Sequence, residues 1–310
     1  MVPWYGRLMR AGELFEISSG NRRAVVTEQG AALFRVEWDG RQLLHSPADD
    51  GFASHGCYGQ HLMPWPGRVP DGLYQYEGER YQLAVTDHVT MAAIHGWTRC
   101  ATWHVVEHGP GHLTLQCRMF AQPGYPFPFE YELSYRWLPD SLEVSAAARN
   151  IGSRTAPFGY GAHPYFTLGA PRVDDGILQV PASRYFRYDH TLVPTGPPVP
   201  VDGTEFDFRQ GRPIGATVLD VTLTGLARDQ EGGAVISFRA PDGSICLTLR
   251  YYEPLGYVQL YSGDTLPEHR REGLAIEPNT CPPNAFNNGL GLLHVDAGRS
   301  ARVRWTLSAG

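Results

Sequence analysis

Apolar and polar residues alternate with a period of two along much of this chain, the spacing of strands that bury one face. The alternation predicts strands over 33–38, 113–120, 131–137, 142–148, 235–239, 246–252, 257–261, 273–276 and 302–307. Asp39-Gly40 separates the first of these from Arg41-Gln42-Leu43-Leu44, a hairpin signature, because Asp-Gly tolerates the positive φ values of a two-residue turn. Asp242-Gly243 marks another tight turn. No amphipathic helix longer than a few turns, no repeat of fixed period and no low-complexity segment stands out. Many short strands with frequent turn signals predict an all-β fold, an antiparallel sandwich.

Composition agrees with that pattern. The 35 glycines and 25 prolines among 310 residues are hostile to long helices. A length prior of roughly 100–200 residues per domain permits two domains, but sandwiches often run longer as one. The least strand-like region, 171–213, is rich in Pro and Gly. Aromatics and prolines alternate there with few serines, so it reads as ordered loop and not as a flexible linker. One domain over 1–310 is expected. The net charge of −6, with arginines and acids interspersed, gives no reason to expect nucleic acid or an anionic membrane as partner. Cys57, Cys100, Cys117, Cys246 and Cys281 are far apart, odd in number and free of any C-x-x-C pair, which indicates reduced thiols and no thiolate zinc site. The N-terminal stretch lacks an apolar signal core, and no apolar run approaches the roughly 18 residues that span a bilayer. A cytoplasmic protein, monomer or homodimer, is the expectation.

The absence of a phosphate loop, a G-x-G-x-x-G turn, a G-x-S-x-G elbow and an H-E-x-x-H helix turns attention to histidines and carboxylates in unusual contexts. His163 sits in Gly159-Tyr160-Gly161-Ala162-His163-Pro164-Tyr165-Phe166, where two glycines allow close backbone approach and aromatics crowd both sides. Glu277 ends an apolar run just before Pro278, a place for a partly desolvated carboxylate at a sheet rim. His95, before Gly96-Trp97, and Arg68, after Trp65-Pro66-Gly67, are hemmed in the same way. Taken one at a time, such residues have plainer uses. A lone histidine is more often structural, Glu277 could close an ion pair, and Arg68 could pair a carboxylate or stack on Trp65. Spacing alone yields a pocket with a His and a Glu.

Taken together, these segments resemble the aldose 1-epimerase (galactose mutarotase) family, in order along nearly the whole chain. GAALFRVEWDGRQLLH resembles the opening hairpin, and MPWPGRVPDGLYQYEGERYQL the arginine loop. AIHGW and GYGAHPYFTLG resemble the two histidine motifs, VPVDGTEFDFRQGRPIG the approach to the substrate aspartate, and LGYVQLYSG and GLAIEPNTCPPNAFN the glutamine and glutamate segments. The resemblance implies a large antiparallel β-sandwich of the galactose mutarotase-like, or supersandwich, type. It implies Glu277 as catalytic base, His163 as catalytic acid, and Arg68, His95, Asp220 and Gln259 as sugar-binding residues. No cofactor and no metal is expected, and the implied partner is a small-molecule sugar. Gly67 stands where many members have Asn, and Val221 follows Asp220 where many have His.

The implied reaction interconverts the α and β anomers of a free aldohexose. A base removes the anomeric proton while an acid protonates the ring oxygen, from opposite edges of the pyranose. Unperturbed pKa values of about 4.3 and 6.5 would put Glu277 and His163 in opposite charge states near pH 6. Trp97 and Tyr165 are candidates to cover an apolar sugar face. Three alternatives compete. A hexose 6-phosphate mutarotase would want arginines near the site, with Arg184, Arg270 and Arg271 as candidates. A glycoside hydrolase or lyase would want a second carboxylate, which Asp220 offers. A carbohydrate-binding or sugar-sensing protein would need no acid–base pair.

Overall fold

The computed structural model describes residues 11–46 and 56–310. The N-terminal stretch read above for targeting signals begins in residues outside this described part. Strands Phe129–Trp137 and Leu142–Asn150 show how the pattern becomes structure: both bury every second residue. They pair antiparallel, with Phe129 opposite Asn150 and Trp137 opposite Leu142, so Tyr131, Leu133 and Tyr135 enter the core together. Each such side chain, fully buried, is worth about 1.5–3 kcal/mol of transfer free energy.

These two strands lie within a nine-stranded sheet. Its order is His104–Gly109, His112–Met119, Phe129–Trp137, Leu142–Asn150, Ser300–Ala309, Cys246–Tyr251, Ala234–Arg239, Ile177–Gln179 and Arg212–Pro213. An eight-stranded sheet runs Val199–Pro200, Ala182–Tyr185, Asp220–Leu226, Tyr257–Tyr261, Leu274–Asn279, Gly161–Ala162 and His61–Leu62, with Tyr165–Phe166 also paired to Leu274–Asn279. A four-stranded sheet of Leu14–Ser19, Arg22–Thr27, Leu33–Trp38 and Arg41–Gln42 precedes them. Its predicted hairpin is present, with Asp39 and Gly40 at φ of 49° and 78°.

A contiguous apolar cluster joins the two large sheets, and buried hydrogen bonds cross between them. Tyr251 donates to the Ile276 carbonyl at 3.1 Å, and Trp305 Nε1 to the Tyr160 hydroxyl at 3.1 Å. His61 bridges Tyr135 at 2.6 Å and Tyr160 at 3.1 Å, and burial pulls its pKa down to about 3, so it serves the core as a neutral ring. The all-β antiparallel sandwich is therefore as expected. Leu14–Ser19, Arg22–Thr27, His104–Gly109 and Asp220–Leu226 are strands that the alternation did not single out. The Pro-rich region 171–213 is not all loop: it supplies short edge strands to both large sheets, the place where proline, lacking an N–H, is tolerated. The five cysteines are free thiols. Among the described residues, no helix is long and apolar enough to cross a membrane.

Candidate active site

Strand Leu274–Asn279 is buried at every position, so its polar side chains must find partners or shift protonation. Glu277 lies opposite Gln259, and Gln259 opposite Thr222, which sets three polar residues in a row across three strands. Gln259 donates to Asp220 Oδ1 at 2.8 Å and accepts at Oε1 from Thr222 and, at 3.1 Å, from the Tyr188 hydroxyl. Val221 points to the opposite face and joins the core. A side chain at position 221 therefore does not share Asp220's face.

His163 follows the short strand Gly161–Ala162, which lies between Leu274–Asn279 and His61–Leu62. Its backbone N–H donates to Gln60, and its ring stacks on Tyr165 with centroids 5.0 Å apart. Both nearby glycines are needed for close approach. A Cβ on Gly161 would lie 2.4 Å from Asn279 Oδ1, and one on Gly159 would lie 2.6 Å from Cys281 Sγ. The result is that His163 Nε2 comes within 3.2 Å of Glu277 Oε1, with both side chains almost wholly buried.

The second histidine is fixed by a different device. His95 has φ of 62°, and its Nδ1 accepts the Gly67 N–H at 3.1 Å. The neutral ring therefore carries its proton on Nε2. Gly67 has φ of 67°, and a Cβ there would lie 2.8 Å from the Pro283 ring, so the position favours glycine. Arg68 donates from Nε to Asp87 at 3.0 Å and to Thr90 at 3.2 Å, so of the two plainer uses open to it, pairing a carboxylate is the one the structure shows.

All six residues singled out above, Arg68, His95, His163, Asp220, Gln259 and Glu277, line one cavity of about 780 Å³. That volume suits a small polar ligand with its water. Tyr165 lines it too, but Trp97 does not: it packs edge-on against Trp65 at 4.7 Å, inside the apolar core. Arg184, Arg270 and Arg271 also lie away from the cavity wall. Arg271 is buried between Asp174 and Asp264, Arg270 faces Asp264, and Arg184 donates to the Pro198 carbonyl.

Burial works against the charge states expected of exposed groups. Desolvation drives the Glu277 carboxyl well above the usual carboxylate range, and the nearby Asp220 charge adds to it, against a hydrogen bond from Asn279 and the Arg68 cation. Desolvation also pulls His163 down to about 3. Both groups are pushed toward their neutral forms, a protonated carboxyl beside a neutral imidazole, where exposed values favour carboxylate and imidazolium. Acid and base are in direct contact, not spread to opposite edges of a ring. Asp220 rises to about 6, chiefly by burial. His95, buried and flanked by His163, Arg68 and Arg99, stays neutral.

Asp87, Thr90, Arg99, Tyr188 and Asn279 line the cavity without having been singled out. Asn279 alone had a readable signal, since a residue two beyond Glu277 on a strand shares its face. Asp87 and Tyr188 sit in turns and loops of ordinary composition, and only the folded chain brings them to the site.

Comparisons with known proteins place the chain in a family and match its fold. A family model described as aldose 1-epimerase matches residues 13–308. An uncharacterized protein of Escherichia coli K12, YihR, is 33% identical over 296 residues, covering 94% of this chain and 92% of that one. Human galactose mutarotase is 27% identical over 238 residues, 71% of this chain and 68% of its own. In fold, the crystal structure of the GalM/aldose epimerase homologue from C. elegans superposes with a TM-score of 0.85 at 20% identity, covering 96% of this chain and 98% of that one. The galactose 1-epimerase of Lactobacillus acidophilus superposes with a TM-score of 0.82 at 21% identity, covering 99% and 97%. At such identities the structures speak for the fold alone, while the family match extends across nearly the whole chain, and on that ground this chain belongs to the aldose 1-epimerase family.

Proposed function

We propose that this member interconverts the α and β anomers of a free aldohexose, using His163 and Glu277 as one proton-transfer unit. The observation that carries the reading is the 3.2 Å contact between these two groups at a buried point of the cavity wall. Mutarotation takes a proton from the anomeric hydroxyl and gives one to the ring oxygen, so the catalyst ends each half-reaction with the proton count it began with. A pair holding one proton suits that balance.

In the sequence of events we infer, the carboxyl proton of Glu277 crosses the contact to His163 Nε2 as the sugar's anomeric hydroxyl meets the carboxylate. The Asn279 hydrogen bond favours the carboxylate of that state, and the Arg68 cation favours the carboxylate while opposing the imidazolium. Glu277 then accepts the anomeric proton while His163 protonates the ring oxygen. The bond between C1 and the ring oxygen breaks, leaving an open-chain aldehyde and a free hydroxyl. Rotation about C1–C2 and closure on the other face of the carbonyl reverse both transfers. Nε2, the His163 ring nitrogen that meets Glu277, is the exchanging atom. Each positioned acid or base typically contributes about 10²–10⁴-fold.

The neutral His95 Nε2–H, the Arg68 guanidinium and the Asp220–Gln259 pair supply donors and acceptors for ring hydroxyls, and Tyr165 supplies an apolar surface. A phosphorylated substrate loses its support, because Arg184, Arg270 and Arg271 are engaged elsewhere. Relatives that bear the name galactose mutarotase fit the same reading. Polarimetry of freshly dissolved α-D-glucose and α-D-galactose tests it. Optical rotation should reach its equilibrium value faster with the protein than with buffer, for at least one of the two. No acceleration with either would overturn the free-aldohexose reading.

A further inference from the structure

Beside the sugar cavity, His45, His269 and Glu272 converge from distant parts of the chain. His45 follows strand Arg41–Gln42, and its backbone N–H donates to the Tyr165 carbonyl at 2.8 Å. His269 and Glu272 belong to the loop that leads into strand Leu274–Asn279, and Thr265, Leu266 and Pro267 of the same loop line the cavity. His269 Nδ1 lies 3.0 Å from Glu272 Oε2. His45 Nε2 faces the same oxygen at 3.8 Å, beyond hydrogen-bonding distance, and that nitrogen is buried with no hydrogen-bond partner. The next residue, Gly273, passes close to His45: a Cβ there would sit 2.7 Å from the His45 Cβ.

We propose that His45, His269 and Glu272 form a binding site for a divalent transition-metal ion of the zinc class, which ties the rim of the cavity to the N-terminal sheet. One nitrogen or oxygen from each residue lies within 4.8 Å of the others. Ligand atoms of a tetrahedral zinc site, with bonds of about 2.0–2.1 Å, stand roughly 3.3 Å apart. The spacings of 3.0 and 3.8 Å to the shared Glu272 oxygen bracket that figure, and the two histidine nitrogens, within 4.8 Å of each other, have to close in for all three to ligate one ion. Two imidazoles and one carboxylate select zinc, cobalt or nickel over magnesium or calcium, which want oxygen ligands. Half-exposed Glu272 and His269 leave the fourth position open to solvent.

The competing view is an ordinary His269–Glu272 ion pair with His45 as a bystander, and metal binding separates the two. The full chain, stripped of metal, is titrated with Zn²⁺ by calorimetry and with Co²⁺ by visible absorption. One ion per chain is expected, with the strong visible bands of four-coordinate cobalt. His45→Ala and Glu272→Gln should each weaken binding at least about tenfold. His112→Ala, which removes a surface histidine paired with Glu107 at 3.0 Å, should bind as the unaltered protein does. Glu272 is 43% exposed, so its amide variant tests the site even if His45→Ala fails to fold. Failure to bind Zn²⁺, binding that survives both site variants, or equal loss in His112→Ala would overturn the proposal.

Discussion

In the nine-stranded sheet, Phe129–Trp137 buries Tyr131, Leu133 and Tyr135 and leaves Glu132 and Arg136 toward water. In the eight-stranded sheet, Leu274–Asn279 buries everything it carries, Glu277 included. The first arrangement gains stability from each apolar side chain. The second places an ionisable group where its charged form is disfavoured, and the compensation is a carboxyl that still holds a proton beside a neutral imidazole. One sheet supplies rigidity, and the other uses that rigidity to hold a polar row out of water.

The contrast can be broken from either side. Glu277→Gln or His163→Asn should cut kcat for anomer interconversion by about 10²–10⁴ while the fold is kept, because each removes a proton carrier but little volume. Polarimetry alongside circular dichroism checks this, and near-normal rates in a folded variant would refute the assignment. Leu133→Ala, fully buried in the other sheet, should do the opposite. It should lower unfolding free energy by about 2–5 kcal/mol in urea titrations and leave the kcat of the folded fraction unchanged.

A smaller effect sharpens the comparison further. An unfolded Glu277 titrates near 4.5, while the folded one holds its proton to higher pH. Above 4.5 the native state thus binds more protons than the unfolded state, and stability is lost as pH rises toward the folded value. Glu277→Gln escapes that cost. Its melting temperature should exceed that of the unaltered protein at neutral and alkaline pH, and the gap should close as pH falls below 4.5. A gap independent of pH would mean that Glu277 is not desolvated as described. His163, lowered from 6.5 to about 3, acts in the other sense, adding stability as pH rises between those values.

Legibility in the sequence followed the same division. Strands that bury one face announced themselves by alternation, and Leu33–Trp38 and Tyr257–Tyr261 appear with their expected limits. Asp220–Leu226 escaped notice because Thr222 is polar yet buried and Gly225 interrupts the pattern. His163, Glu277, His95 and Arg68 stood out through the glycines, prolines and aromatics around them, and the family resemblance added Asp220 and Gln259. Their protonation was not legible. It depends on burial contributed by segments far apart in the chain, which exposed pKa values leave out. The contact of Asp87 with Arg68 was hidden for the same reason.

The pH dependence of kcat/KM for anomer interconversion, in the Asp220→Asn variant, tests the one-proton pair most directly. Asp220 itself titrates near 6, and its removal takes away that inflection. With the pair holding its proton on Glu277, activity should persist below 4.5, where an ordinary glutamate would be half protonated, and fall only toward about 3 as His163 gains a second proton. The alkaline limb should then report loss of the Glu277 proton. A full acid limb centred near 4.5 would contradict the account, for it would mean that Glu277 works as an ordinary ionised carboxylate.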